Sequence, residues 1–304
     1  MTHHNQSSTS TSSSIPTFKS FSLSTTATLF FLLLCSPTLT SAAGDDDWYF
    51  TRYLWRRGSA PQRNVPPEGY YNPTSDGGSF LTQVPNTFPA GQGEPINIII
   101  SGHSDPIVLV DQETKGGLRN YFLSIGFAGE CLGQHSGSDQ AANLGDGNGY
   151  KNETAVMRWD YGDPQLGTCK ETIQGGDHFR FWLQNGPDGN SGAAFLALSY
   201  ELPIALQHDV IPNGYNLGRD YFIGNITRSS IPTANLTNTT TYNGTTSSNG
   251  YTYYTNIAYV GGLLENTSIG INHNLSVGTN GINAVDGLVA ILNVSITAQP
   301  QNSG

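Results

Sequence analysis

Charged side chains are scarce in this chain of 304 residues. They make up 12% of it, and acidic residues outnumber basic ones by 23 to 13, for a formal net charge of −10. Nucleic acids and anionic membrane surfaces are recognised by clusters of Lys and Arg, which this composition does not supply. We therefore expect no nucleic acid as a partner, and a membrane only through an uncleaved N-terminal anchor.

Short catalytic and phosphate-binding signatures are also lacking. The sequence contains no Gly-x-Ser-x-Gly elbow, no His-Glu-x-x-His motif and no Gly-Lys-Ser/Thr phosphate loop. It contains no internal repeat either. Motifs alone thus predict no reaction, no cofactor and no metal site. Whether the protein is an enzyme stays open, with a non-catalytic role favoured.

The apolar run in the N-terminal region is short. Residues 27–35 form a run of about nine residues, whereas a helix needs roughly 20 residues to span a bilayer. Small residues follow at 40–43, as they do at the cleavage site of a secretory signal. We predict that residues 1–43 are a signal peptide and that the protein is secreted. The alternative is that this segment remains as a membrane anchor.

Eight Asn-x-Ser/Thr sequons follow the apolar run, and none has proline in the middle position. Such a sequon accepts a bulky N-linked glycan and is expected at the surface of a secreted protein. The chain is therefore predicted to be N-glycosylated. The candidate asparagines are Asn152, Asn225, Asn235, Asn238, Asn243, Asn266, Asn274 and Asn293.

Only three cysteines are present. Cys35 lies in the predicted signal peptide, so the mature chain keeps Cys131 and Cys169. An even pair in an oxidising compartment most simply forms a disulfide. Such a bond would stabilise the fold by about 3–4 kcal/mol in the chain-entropy model. The alternative is a pair of buried thiols.

The composition divides the mature chain into an arm and a globular part. Pro and Gly punctuate residues 44–94, which we interpret as an extended arm, and its head at 48–57 carries five aromatic side chains. These aromatics either pack on the domain or form an exposed platform for a ligand. The globular domain is predicted at 95–297, with a mobile glycosylated loop at 226–250 and a polar tail at 298–304.

Helical and strand patterns both occur in the globular part. Apolar residues at 118, 121, 122 and 125 have helical spacing, and Gly126 follows as a stop. Residues 178–183 alternate in hydrophobicity, and 193–200 form a continuous apolar run typical of a central strand paired with them. Further strands are predicted at 96–100, 155–161, 251–260 and 287–296, and further helices at 138–144 and 216–224. We therefore expect a single α/β (α+β) domain with a mixed sheet and a few short helices.

One combination of segments resembles a known family. After the first strand and a helix that ends in Gly-Phe, it consists of His178-Phe-Arg-Phe-Trp182, Gln207-His208-Asp209, Gly218-Arg219-Asp220 and Asp286-Gly287. Over 95–297 the chain is similar to the C-terminal domain of the bacterial LssY family, a module of unknown function. It also resembles uncharacterised secreted proteins of filamentous fungi. The resemblance implies an α/β domain, although Gln207-His208 replaces the paired histidines of that family and Leu288 replaces an arginine.

Histidines supply the candidate catalytic groups. His178 and His208 lie beside predicted strands, and Asp209 follows His208. One hypothesis is an acid/base or metal-assisted hydrolase that uses these three residues, with Arg180 and Arg219 holding an anion. Four other carboxylates offer in principle the pair that a glycosidase needs, namely Glu130, Asp160, Asp163 and Glu171.

A binding or structural role is the leading hypothesis. Arg180 and Trp182 share a strand face with His178, and with the aromatic head they would form a platform for carbohydrate or another extracellular protein. Arg219 and Asp220 belong to the same candidate surface. Alternatively, Arg219 and Asp220 form a structural network that fixes a helix against the sheet.

Overall fold

Ten β-strands lie in the part of the chain that the computed structural model describes, residues 62–135, 137–279 and 281–301. In chain order they are β1 (Ile98–Ile100), β2 (Phe127–Gly129), β3 (Ala141–Asn143), β4 (Tyr150–Asn152), β5 (Ala155–Trp159), β6 (Gly176–Leu183), β7 (Ala194–Glu201), β8 (Thr241–Ser248), β9 (Tyr251–Thr267) and β10 (Val285–Ala298). Eight strands form one mixed sheet in the order β2-β5-β6-β7-β1-β10-β9-β8, and β3 and β4 form a separate hairpin. Strand β1 is parallel to β10, and the other pairs in the sheet are antiparallel.

Four short α-helices accompany these strands within the described residues. They are α1 (Leu118–Ile125), α2 (Gly167–Gln174), α3 (Gly214–Thr227) and α4 (Asn274–Val277). Short 3-10 helices occur at Pro73–Asp76, Thr114–Gly116, Cys131–Gly133, Ile204–Leu206 and Thr233–Asn235. Together with the Cys131–Cys169 disulfide, this architecture confirms the predicted class: a mixed sheet with a few short helices and one disulfide.

The sequence of α1 explains where this helix packs and where it ends. Its buried apolar side chains recur at helical spacing; they are Leu118, Tyr121, Phe122 and Ile125. Gly126 ends the helix with a φ of 96°, a left-handed conformation that favours glycine. A Cβ at Gly126 would lie 2.5 Å from Cζ3 of Trp159, so the available space requires glycine as well.

Hydrophobic side chains fill both faces of the sheet. On the first face, α1 and α3 supply the covering layer, and the ring centroids of Phe122 and Phe179 lie 4.8 Å apart. On the second face, Tyr70 and Phe80 pack against Phe195 with centroid distances of 6.1 and 6.3 Å. The central strands are therefore buried on both sides, which accounts for the continuous apolar run of β7.

Residues 62–94 belong to the domain rather than to a separate arm. They supply the two aromatic side chains that cover the second face, and an isolated bridge joins Leu81 to Pro95. The compact unit that contains the sheet is Ser59–Gly304, so it begins before Pro95, the boundary expected from composition. The aromatic head predicted at 48–57 and the predicted signal peptide lie outside the described residues.

The helix predicted at 138–144 is wrong. This segment contains β3, which pairs with β4 across the Gly-rich turn between them. Beyond the two strands, the N–H of Glu153 donates to the carbonyl of Gln140 at 2.9 Å and continues the pairing. Pairing with a neighbouring strand outweighs the weak helical preference of so short a segment.

The mobile loop predicted at 226–250 is also largely wrong, because it contains β8. This strand pairs with β9 over its full length, through a turn in which Asn249 and Gly250 both have positive φ, at 49° and 79°. Asn-Gly is the preferred pair for such a two-residue hairpin turn. The β-branched threonines that resembled a disordered insert are also good strand formers, and Asn249-Gly250 was the signal that could have identified the hairpin.

Candidate functional site

A row of charged side chains lies on the second face of the sheet, near its β2 edge. Arg158 of β5 is in register with His178 of β6, and Arg180 lies two residues further along, so all three point to the same side. Helix α2 packs against β5 and β6 and supplies Glu171, while Glu201 comes from the end of β7. We call these five residues the charged row. Because they are largely buried, their charges are weakly screened.

His178 and His208 converge on Glu201. Nε2 of His178 lies 3.6 Å from Oε1 of Glu201, and Nδ1 of His208 lies 3.3 Å from Oε2. Their accessibility differs, because 2% of the His178 side chain is exposed whereas 28% of the His208 side chain is exposed. The structure thus brings together the two histidines selected from the sequence, through a carboxylate that the sequence analysis did not select.

Burial sets the protonation state of this cluster. It lowers the pKa of His178 to about 3, with help from the nearby arginines and against the attraction of Glu201. Burial also raises the pKa of Glu201, but His178, His208 and Arg158 outweigh it and bring that pKa to about 2. The hydrogen bond to Glu201 raises the pKa of His208. At neutral pH, a neutral His178 ring therefore faces an ionised Glu201.

Glu171 is held in place by Arg158. Nη1 of Arg158 donates to Oε2 of Glu171 at 2.9 Å, and Nη2 lies 3.4 Å from Glu130. Burial raises the pKa of Glu171 to about 7, against the effect of Arg158. Oε1 of Glu171 lies 3.9 Å from Nδ1 of His178, and neither atom hydrogen-bonds to any described residue. Buried polar atoms without partners are rare in native proteins and indicate bound water, an ion or a functional role.

Asp209 points away from this cluster. Its Oδ1 accepts a hydrogen bond from Oγ of Ser276 at 2.8 Å and lies 2.7 Å from Nδ1 of His273. The chain turns at His208, where φ is 54°, so the two consecutive side chains face different elements. The structure therefore separates Asp209 from His178 and His208 and pairs it with His273, a residue that the sequence analysis did not select.

Arg180 and Trp182 face the interior, so the expectation of an exposed platform on this strand is wrong. Trp182 is 2% exposed, and its Nε1 donates to the carbonyl of Lys151 at 3.0 Å. Arg180 lies 3.3 Å from Glu153 and 3.7 Å from Glu94. The alternation of β6 indicated one solvent-facing side, whereas the 62–94 segment and the β3–β4 hairpin help to bury that side.

Arg219 is surrounded by carboxylates instead of being available to an anion. It donates to Asp220 at 2.8 and 3.0 Å, to Asp286 at 2.8 Å through two nitrogens, and to the carbonyl of Leu288 at 2.8 Å. Tyr259 also donates to Asp220, at 2.7 Å. Burial lowers the pKa of Arg219, but the hydrogen bonds to Asp286 and Asp220 outweigh it and raise that pKa. This arrangement agrees with the alternative of a network that fixes α3 against the sheet.

The Cys131–Cys169 disulfide positions α2. The two Cα atoms lie 4.5 Å apart, one in the 3-10 helix after β2 and the other within α2. The bond thereby ties the helix that carries Glu171 to the edge of the sheet. Helix α2 itself had no counterpart among the predicted elements, because its buried positions include Thr168 and Glu171 and give no apolar periodicity.

An open cleft of about 670 Å³ lies beside the disulfide. Within it, His135 lies 2.7 Å from Glu130 and 3.2 Å from Asp139. Leu132 and Leu166 are exposed hydrophobic residues among its lining. The cleft thus combines accessible hydrogen-bonding groups with apolar surface.

The sequon asparagines all reach the surface. Asn225 and Asn274 are half-buried, and the exposed ones are Asn152, Asn235, Asn238, Asn243, Asn266 and Asn293. Two of them share one sheet face, because Asn243 of β8 and Asn293 of β10 are both in register with the exposed Asn256 of β9. Two strand spacings place Asn243 and Asn293 about 10 Å apart.

Comparisons with protein-family models, with curated proteins and with solved structures found no match. The resemblance to the LssY C-terminal domain therefore stays a prediction. Among the helices that the structure describes, none has the length and apolar character needed to cross a membrane. The site geometry is thus the basis on which a function can be argued.

Proposed function

We propose that this chain is a secreted, N-glycosylated extracellular protein whose role is binding or structural and not catalytic. The observation that carries this proposal is the accessibility of the eight sequon asparagines, six of them exposed and two half-buried. A glycan requires an asparagine that the transferring enzyme can reach, and hydrated sugar must then fit outside the fold. The disulfide is a second support, because such bonds persist in oxidising compartments.

The arrangement of the ionisable groups favours binding over turnover. His178 is buried, Asp209 is paired with His273, and Arg219 already donates five hydrogen bonds. A hydrolase needs its acid, base and anion-binding groups to surround one accessible position. In this fold the residues selected for that role are divided between a buried cluster and two separate networks.

The cleft beside the disulfide is the surface that we propose for a ligand. Arg119, Glu130, His135 and Asp139 offer donors and acceptors there, next to exposed leucine side chains. Carbohydrate presents hydroxyl groups and apolar ring faces, which match such a mixture. Carbohydrate is therefore the ligand class that we favour, and another extracellular protein is the alternative.

Secretion and glycosylation can be tested by expressing the full-length chain in a eukaryotic secretory host. We expect the protein in the medium and a loss of mass on treatment with an N-glycosidase. Peptide mass spectrometry should show occupied Asn243 and Asn293 and an unmodified Asn256, which is equally exposed but lacks a sequon. Ser295→Ala should abolish modification of Asn293 alone. Retention of unglycosylated protein inside the cells would contradict the proposal.

Ligand binding can be tested on a glycan array with the secreted protein. Arg119→Ala and Asp139→Asn should weaken any signal, because both residues line the cleft. Arg228→Ala removes an exposed arginine outside that cleft and serves as the matched control. Binding that neither cleft variant weakens would place the ligand elsewhere on the surface.

A further inference from the structure

The interior around the charged row contains more carboxylates than cations. Arg158 is shared by Glu130 and Glu171, and Arg180 by Glu153 and Glu94. Glu201 is a fifth carboxylate, and its contacts are with two histidines. Five carboxylates therefore face two guanidinium groups, and the other groups beside them that can carry positive charge include the imidazoles of His135, next to Glu130, and His208, next to Glu201. Buried charge of one sign is costly unless protons or a cation compensate it.

Among the described residues, two buried atoms in this region lack a hydrogen-bond partner, and a third atom lies beside the same imidazole ring. Oε1 of Glu171 and Nδ1 of His178 are buried and form no hydrogen bond with any residue that the structure describes. Oε1 of Glu201 faces the same imidazole ring at 3.6 Å. One potential ligand atom from each of the three residues lies within 4.8 Å of the others.

Both carboxylates are also oriented by a neighbour. Arg158 binds the second oxygen of Glu171, and His208 faces the second oxygen of Glu201. Partners of this kind, one step removed from the ion, are usual around metal ligands because they fix the direction of the coordinating atoms.

The distances are compatible with coordination after a small adjustment. If the three atoms lie 4.8 Å from one another, the point equidistant from them is ~2.8 Å from each, whereas zinc lies roughly 2.0–2.2 Å from imidazole nitrogen and carboxylate oxygen. The side chains therefore need to close by less than about 1 Å. A neutral His178 and two carboxylates carry a charge of −2, which one divalent ion neutralises.

We propose that Glu171, His178 and Glu201 form a binding site for one divalent transition-metal ion, such as Zn²⁺ or Mn²⁺. An imidazole with two carboxylates suits these ions better than Ca²⁺, which prefers oxygen ligands alone. The site joins α2, β6 and β7, so the bound ion is structural and cross-links the disulfide-tethered helix to the sheet. The partly exposed His208 marks the side from which the ion enters.

The test uses the full-length secreted protein, stripped with EDTA and dialysed. We expect about one equivalent of Zn²⁺ or Mn²⁺ by elemental analysis after incubation with the metal chloride. We also expect a rise in melting temperature of about 5 °C or more at a hundredfold excess over the dissociation constant. CaCl₂ and MgCl₂ should give little change. Wild-type protein that retains no stoichiometric metal and shows no thermal shift would overturn the proposal.

Variants assign the site. His178→Asn and Glu201→Gln should each abolish the shift. The matched control is His135→Ala, which alters the other His/carboxylate group, His135, Asp139 and Glu153, and should leave the shift intact. A shift lost only in His135→Ala would move the ion to that group and refute the assignment. If the buried variants do not fold, a Co²⁺ titration of the wild-type protein decides, because binding changes both the melting temperature and the visible absorption, and the absence of both changes contradicts the site.

Discussion

Arg219 and Asp286 form a buried two-bond ion pair that joins α3 to β10. Both nitrogen–oxygen distances are 2.8 Å, and the Arg219 side chain is 0% exposed. Asp220 binds the same guanidinium and is itself bound by Tyr259. Arg219, which the sequence suggested as an anion-binding residue, is thus part of a four-residue junction between a helix and two strands.

Breaking this junction should be costly. Asp286→Ala leaves a buried guanidinium with half of its compensation removed, and we expect a loss of about 3–5 kcal/mol in the free energy of unfolding. Arg119→Ala is the matched control, since its pair with Asp111 is about a third exposed and should contribute no more than about 1 kcal/mol. Urea denaturation measures the free energy of unfolding of both variants. Equal effects of the two variants would show that burial does not set the strength of the Arg219 pair.

Removal of the disulfide should weaken the fold and loosen α2. The double variant Cys131→Ser/Cys169→Ser opens a loop with a sequence separation of 38 and should cost about 3–4 kcal/mol. Hydrogen exchange should show faster exchange in α2 than in β7, because only the helix depends directly on the bond. Uniform acceleration across both elements would argue that the bond acts globally and does not tether the helix.

Glu153 should give the protein a measurable pH dependence. Burial raises its pKa above the ordinary value of 4.5, although backbone hydrogen bonds and Arg180 oppose this. The folded state therefore binds the proton more tightly than the unfolded state, so this group stabilises the fold at low pH. Its contribution is lost as pH rises from 4.5 through the folded pKa.

Glu153→Gln cannot titrate and should lack this part of the pH dependence. When urea midpoints are measured from pH 4 to 8, the midpoint of the variant should increase relative to that of the wild type as the pH rises. Glu265→Gln, which alters an exposed carboxylate of β9, should follow the wild-type curve. Parallel curves for Glu153→Gln and wild type would mean that Glu153 titrates alike in the folded and unfolded states.

Gly126 should tolerate no side chain. Gly126→Ala forces a left-handed φ on a residue with a Cβ and brings that atom within 2.5 Å of Trp159, so we expect a loss of about 2 kcal/mol or more. Gly129→Ala is the control, because a Cβ there meets no atom within 4 Å among the described residues. Thermal denaturation compares the two, and an unchanged melting temperature for Gly126→Ala would contradict the steric argument.

Local pattern was sufficient for several elements and insufficient for others. The helix that ends at Gly126, the β6–β7 hairpin and the last two strands follow from spacing that each segment carries within itself. The short β3 and the threonine-rich β8 depend on a partner strand for their conformation, so composition misled there. Helix α2 depends on burying Glu171 and on the Cys131–Cys169 bond, neither of which gives a periodic signal.

The candidate site shows the same division. Histidines 178 and 208 could be selected by residue type, but their common partner Glu201 lies at the end of β7 and carries no motif. Asp209 was selected because it follows His208, yet the turn at His208 directs it to His273. Adjacency in sequence is a poor guide wherever the backbone turns, because side-chain direction changes with each φ and ψ.

The sequence by itself determined the elements whose information is local: the apolar period of α1, its glycine stop, the β-branched run of β1 and the cysteine pair. Tertiary structure decided which charges meet. Strand register sets Arg158 beside His178, and the packing of α2 places Glu171 against the same ring. Those contacts depend on the angles and distances between elements that are far apart in the chain. Their strength depends on the burial of these side chains, which occurs only when the protein folds.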